Sequence, residues 1–155
     1  VAETKLIAAN RQARRNFDIR ETFEAGLVLR GVEVKSLRES QVKLDEAYAR
    51  FEGGELFLLG LHIGPYARAG TQGRVDPVRK RKLLLHGWEL QRLRSKLDIE
   101  RLSLVPLSLY FKDGRAKVEL GLGKGRREVD KRQLIAQRDA EREARRELAR
   151  ANRRL

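Results

Sequence analysis

Cysteine is absent from this chain of 155 residues. That excludes disulfide scaffolds, thiolate metal sites and thiol catalysis. Long apolar runs are absent too, since the longest, such as Leu56–Leu59, are strand-sized. A membrane span needs about 20 consecutive apolar residues, so no membrane residence is expected. His62 and His86 are the only two histidines and stand too far apart to form a ligand motif, so each reads as a surface or packing residue. Asp45-Glu46 and Asp98/Glu100 lack a third partner at metal or acid–base spacing. Gly121-Leu122-Gly123-Lys124-Gly125 lacks the G-x-x-x-x-G-K-S/T spacing of a phosphate loop and precedes no apolar helix. Its glycines read instead as a flexible exit from the last strand. The sequence therefore predicts no catalytic constellation, no metal and no cofactor: a protein that is not an enzyme. There is no signal-peptide pattern, which with the missing cysteine points to the cytoplasm, and Val1 in place of methionine suggests a processed or trimmed terminus.

What the chain has in excess is positive charge. Its 35 Lys and Arg stand against 22 Asp and Glu, a net charge of +13. Clustered cations displace counterions from a phosphate backbone, so nucleic acid is the leading partner. A membrane surface would also require a strongly apolar amphipathic face. The imbalance peaks at the end of the chain. Residues 124–155 hold 12 basic and 6 acidic side chains but only five apolar residues larger than alanine. Such a segment cannot bury enough surface to fold alone. It reads as a basic C-terminal tail that becomes helical on a polyanion, with Ala140, Ala144, Leu148, Ala151 and Leu155 at helical spacing. The 23 basic and 16 acidic residues of positions 1–123 make the body basic as well.

Residues 1–15 form a basic N-terminal segment before any regular pattern begins. From Phe17 the pattern has period two: Phe17, Ile19, Phe23, Ala25, Leu27 and Leu29 share one parity, broken at Glu21, and Gly26 suggests a bend or bulge. Gly31–Arg38 suits a short helix. Gly53-Gly54 marks a hairpin between Tyr48–Phe51 and Leu56–Ile63, and Gly64–Arg74 reads as a loop. Asp76-Pro77 signals a helix running to about His86, with a second from Trp88 through Leu90, Leu93 and Leu97. Ser103–Phe111 and Ala116–Leu122 alternate about Asp113-Gly114. The fold expected over residues 16–123 is therefore mainly β, an oligonucleotide-binding (OB) type antiparallel barrel with a helical insertion near 76–97. Residues 124–155 follow as the tail.

Three features suit RNA. Arg79-Lys80-Arg81-Lys82 leads into Leu83-Leu84-Leu85, a phosphate-binding helix surface with leucines at its margin, or alternatively a solvated helix face. Lys35 and Arg38 share a face of the short helix. Glu24 stands on the polar side of its strand, where a carboxylate can accept hydrogen bonds from base amino groups or pair with Arg20 or Arg50.

Six segments in order carry a resemblance: Asn10-Arg11-Gln12-Ala13-Arg14, Phe23-Glu24-Ala25-Gly26, Gly31–Arg38, Asp76–His86, Leu104–Phe111, and Gly123–Arg127 with Asp130-Lys131-Arg132. Together, over roughly residues 10–150, the chain resembles the small protein B (SmpB) family, bacterial partners of transfer-messenger RNA. The resemblance implies an OB barrel that holds the tRNA-like part of that RNA and accompanies it to ribosomes stalled on messages without a stop codon. It implies RNA contacts from Asn10, Glu24 and Leu84, with support from Arg11, Arg14, Lys35, Arg38, Arg81 and Lys82. It also implies a tail that enters the small-subunit decoding region and empty message channel through Lys124, Gly125, Arg126, Arg127, Asp130, Lys131 and Arg132. The partners expected are transfer-messenger RNA and the ribosome, with no membrane, and a monomer when bound to RNA. Arg15, Phe17, Val32 and Val129 depart from the family's usual residues; Val129 replaces an aromatic residue or histidine that could stack on a ribosomal base.

Overall fold

The computed structural model describes residues 3–66, 75–126 and 128–153. Its strands are β1 (Thr4–Ala9), β2 (Phe17–Leu27), β3 (Val42–Lys43), β4 (Tyr48–Glu52), β5 (Glu55–Leu59), β6 (His62–Ile63), β7 (Arg81–Leu84), β8 (Ser103–Lys112) and β9 (Arg115–Gly125). The helices are α1 (Ala13–Asn16), α2 (Gly31–Arg38), α3 (Gly87–Ile99) and α4 (Glu128–Arg153).

The expected alternation holds where it was clearest. Phe23, Ala25 and Leu27 of β2 and Val118, Leu120 and Leu122 of β9 are buried, and the two strands pair antiparallel from Phe17↔Gly125 to Gly26↔Lys117. Asp113 and Gly114 have φ of 51° and 80°, which supplies the left-handed geometry of a tight β8–β9 turn. At Gly53-Gly54 only Gly53 lies in that region, with φ of 65°. The pairings run β8–β4–β5–β7–β2–β9 and return to β8, all antiparallel. At the β4–β8 seam a single pair, Ala49↔Leu104, makes the connection, so the OB-type barrel is a circuit with one thin joint. Inside it, Leu56, Leu58, Leu83, Leu104, Leu109 and Leu120 are buried, and α3 adds Leu93 from outside.

Four expectations change. Residues 76–86 do not form a helix. Asp76 Oδ1 accepts the Val78 amide at 3.0 Å and starts a single turn, after which Arg81–Leu84 become β7. Arg81 and Leu83 point inward while Lys82 and Leu84 point outward, and β7 fills the gap between β5 (Phe57↔Lys82) and β2 (Gly26↔Leu84). The helical insertion is α3 alone. Second, the N-terminal segment is structured: β1 pairs with β8 from Thr4↔Lys112 to Ala9↔Ser108. One edge of β8 is bonded along its length by β9, and the other is divided between β4 and β1. Third, the bulge of β2 falls between Ile19 and Glu21, where the parity broke, and not at Gly26.

The fourth concerns Gly121 and Gly123, which lie inside β9 rather than in a flexible exit. A Cβ on Gly123 would sit 2.2 Å from the Asp18 carbonyl oxygen, and one on Gly121 3.0 Å from Ile19 and Leu107 side-chain carbons. These glycines let the bulged half of β2 close on β9. Gly123→Ala is expected to cost about 3 kcal/mol, the upper end for inserted bulk, because the obstacle is backbone. Gly125→Ala, whose nearest neighbour would be Phe17 at 3.9 Å, should be tolerated. Thermal melts of the two variants compare them directly; equal melting points would refute the packing account.

The tail, expected to become helical on a partner, is a continuous helix α4 of 26 residues. Ala, Leu, Arg and Glu have high helix propensity, and Arg146 pairs with Glu143 at 3.8 Å one turn away. Its boundary also shifts, because Lys124 and Gly125 still pair with Asp18 and Phe17 in the barrel.

Candidate nucleic-acid interface

Alternation places Glu24 (β2), Glu119 and Lys117 (β9), and Tyr110 and Lys112 (β8) on the outer face of the barrel. The Glu24 carboxylate accepts a hydrogen bond from the Tyr110 hydroxyl at 2.5 Å and from Lys112 Nζ at 3.2 Å. The Tyr110 hydrogen bond, with Lys112 and Lys117 nearby, holds Glu24 below the usual carboxylate range despite the opposing effect of partial burial. Burial and the adjacent Glu24 carboxylate push the Tyr110 phenol up, so it remains a donor at neutral pH. A carboxylate offers about four lone-pair positions, which leaves this half-exposed group capacity for a base amino group. Its partners are Tyr110 and Lys112, in place of Arg20 or Arg50.

Leu84 lies alongside on β7, 52% exposed. A side chain on Gly26 would meet Leu84 Cβ at 3.3 Å and Lys117 Nζ at 3.7 Å. Gly26 is thus the gap over which an exposed apolar group and a cation come together. Lys35 and Arg38 are exposed on α2. Lys35 Nζ lies 5.6 Å from the centre of the Tyr66 ring, and the Arg38 guanidinium 5.8 Å from that of Phe111, which brings α2 to the β8–β9 hairpin.

Only part of the basic run 79–82 faces outward. Arg81 is wholly buried: Nε donates to Glu33 Oε2 at 2.7 Å, Nη1 to the Leu61 carbonyl at 2.5 Å and Nη2 to the Pro77 carbonyl at 3.1 Å. The inward parity of β7 puts it there, so it cannot reach RNA. Arg79 also bonds to Glu33, which caps α2 by accepting the Arg30 amide at 2.9 Å. Burial works against the Glu33 charge, but the Arg79 hydrogen bond, the Arg30 amide and Arg81 prevail and hold its carboxyl below the ordinary range. Lys80 pairs with Glu52, and half-exposed Lys82 with Glu55 at 3.3 Å. Exposed pairs of this kind are weak, and Lys82 can exchange its partner for phosphate.

The N-terminal candidates lie elsewhere. Asn10 donates its backbone N–H to Leu107 O at 2.8 Å and its side-chain Nδ2 to Pro106 O at 3.2 Å. The row Ala9↔Ser108↔Glu119↔Glu24 leaves its neighbourhood three strand spacings from Glu24, about 14 Å across the sheet. Arg11 and Arg14 are exposed beside it. Arg126 donates its amide to Asn16 O at 2.8 Å and its guanidinium lies 3.8 Å from Asp18, securing the base of the tail. Arg132 is exposed on α4, whereas Arg127 and the side chains of Val129, Asp130 and Lys131 lie outside the described residues. Tyr110, Lys112, Arg115 and Lys117 are additions that sequence reasoning missed. Counting alternate positions outward from the Asp113-Gly114 turn would have found all four. Among the described residues, no group of three or more His, Asp or Glu could hold a metal ion, and no helix is long and apolar enough to cross a membrane.

Compared with known proteins, residues 7–150 match the family model described as SmpB protein. The SsrA-binding protein of Halothermothrix orenii is 51% identical over 142 residues, covering 92% of this chain and 91% of its own. That of Anaeromyxobacter dehalogenans strain 2CP-C is 52% identical over 153 residues, 99% of this chain and 93% of its own. A solved structure described as "tmRNA-SmpB: a journey to the center of the bacterial ribosome" is similar at a TM-score of 0.66 and 49% identity, over 83% of this chain and 93% of that one.

Proposed function

This chain belongs to the SmpB protein family, and from that premise we propose that it is an RNA-binding accessory factor of ribosome rescue. It binds the tRNA-like domain of transfer-messenger RNA through the barrel and delivers it to stalled ribosomes. There α4 occupies the small-subunit decoding region and message channel, and the unfinished peptide is tagged for degradation. It performs no catalysis of its own, acts in the cytoplasm and binds its RNA as a monomer. The observation that carries this reading is the similarity, across most of both chains, to a protein solved with transfer-messenger RNA in a ribosomal setting.

Within the barrel, Glu24, Leu84 and Lys82 with Lys35 and Arg38 form the RNA-binding face, and Asn10, Arg11 and Arg14 a second patch. In the tail, the ribosome-binding residues are Lys124, Gly125, Arg126, Arg127, Asp130, Lys131 and Arg132. Glu24→Ala should weaken binding to a tRNA-like transcript about tenfold, the scale of one good base contact. Titrations at several salt concentrations check this. Equal affinity of the unchanged chain for transfer-messenger RNA and unrelated structured RNAs at matched salt would replace the proposal with a generic RNA chaperone.

A further inference from the structure

A groove of about 590 Å³ lies along the thin joint between β4 and β8. In the strand circuit this joint is opposite the β2–β7 pair that carries Gly26 and Leu84, so the groove is separate from the Glu24 face. Its apolar walls come from Phe17, Ala47, Tyr48, Phe51, Leu97 and Leu102. Its charge is the reverse of the chain's +13. Asp45, Glu46 and Asp98 line it, are exposed, and form no salt bridge among the described residues. Arg50 is the single cation among the described lining residues, and Glu52 holds it at 2.7 Å.

This volume falls within the range of ligand sites, roughly 300–1,000 Å³. Three carboxylates without a cation repel phosphate, so a nucleic-acid strand suits these walls poorly. A cation carried on an apolar arm suits them well, because aromatic faces and carboxylates both attract it. The chain itself supplies an example: the Arg94 guanidinium lies 5.5 Å from the centre of the Phe51 ring. Tyr48, 44% exposed on the same strand, carries no such cation among the described residues. The backbone adds a second demand. The β4 edge facing β8 is paired with it at Ala49 alone, which leaves N–H and C=O groups to which an extended chain can bond. A free polyamine cannot use those groups, whereas a peptide can.

We propose that this groove receives an arginine from an extended basic segment of a protein partner, its guanidinium between Tyr48 and the carboxylates of Asp45, Glu46 and Asp98 and its backbone along β4. The inference is independent of the RNA-binding reading above and concerns another side of the barrel. Asn10 also lines the groove, which makes RNA the competing occupant.

The test titrates the full chain calorimetrically with an unlabelled, end-blocked peptide of alternating arginine and valine. The net charge of the chain opposes any cationic probe, so binding reports a local site rather than general attraction. The same peptide with citrulline, a neutral isostere, in place of arginine should not bind. Asp98→Asn should weaken binding about tenfold, the scale of one charge-assisted hydrogen bond. Tyr48→Ala should weaken it about fivefold, the scale of one cation–aromatic contact. Both positions are exposed, and circular-dichroism melts check that the variants fold. The β4 amides that point toward β8 should exchange more slowly in the complex. Equal binding of the citrulline peptide, or unchanged binding by both variants, overturns the groove as an arginine site. Displacement of the peptide by spermidine at equal charge overturns the peptide as its occupant. So does displacement by a tRNA-like transcript whose own affinity falls equally in both variants. Transcript binding that neither variant alters supports two separate sites.

Discussion

Removing residues 127–155 should leave binding to a tRNA-like RNA nearly unchanged while reducing peptide tagging on stalled ribosomes to background. The described side chains of α4 account for the first half. From Arg132 onward none is buried, and only Leu134 and Ile135 approach half-burial. Neither belongs to either buried cluster of the body. The cut belongs after Arg126, because its amide bond to Asn16 and its proximity to Asp18 hold the ends of β9 and β2 together. The melting point of the shortened chain should match that of the full one. The second half follows from charge: α4 presents cations at intervals along a rod that the barrel does not use. A titration with transcript and a tagging reaction on purified stalled ribosomes measure the two effects separately. Equal loss of both would show that barrel and tail form one surface, contrary to the arrangement proposed.

Arg81→Met should destabilise the protein by about 3–5 kcal/mol, the cost of breaking a buried ion pair by removing one partner, with Glu33 left to Arg79 and the Arg30 amide. Glu33, only 3% exposed, would lose the Arg81 contact, and the Leu61 and Pro77 carbonyls would lose their donors. Glu33→Gln should be comparably harmful, since it leaves a buried guanidinium facing a neutral amide. Glu33→Met combined with Arg81→Met should recover part of the loss, because an apolar pair of similar volume removes both desolvation costs. The pair also has a pH signature. Glu33 has a folded-state pKa below its unfolded value of about 4.3. Its contribution is therefore complete above that unfolded value and disappears as pH falls through the folded one. Resistance of the unchanged chain to denaturation should weaken with acid below about pH 4, and Glu33→Gln should lack that component. Urea melts between neutral pH and pH 3 measure both. A loss below about 1 kcal/mol for Arg81→Met would place the pair among ordinary surface bridges and refute the buried lock.

The sequence made the long hairpin legible because its signals were local. Asp113-Gly114 turns, and the alternating residues on either side need only each other. Residues 79–84 were illegible for the opposite reason. Their four charges suggest a solvated helix, and the inward parity of Arg81 makes sense only once Glu33, 48 residues away, is seen as its partner. The strand character of Thr4–Ala9 was hidden likewise, since it depends on β8 having a length of edge that β4 leaves uncovered. In the candidate site, Glu24 and Leu84 could be named from motifs. Their proximity across Gly26 is a property of strand register, which no window of sequence contains. The family resemblance supplied the residues; the pairing supplied the reason Arg81 must be removed from them.

A continuous helix of 26 residues, at 1.5 Å rise each, spans about 39 Å. With barrel and tail holding separate partners, as proposed, that length makes the protein a bivalent ligand with a stiff spacer. Once the barrel has bound, the second contact is no longer a bimolecular search. It proceeds at an effective concentration set by geometry, and a rod concentrates its far end on a narrow shell of distances, where a flexible chain would spread it through a volume. Avidity then depends on whether the second partner's site lies on that shell, so the protein measures spacing as well as charge.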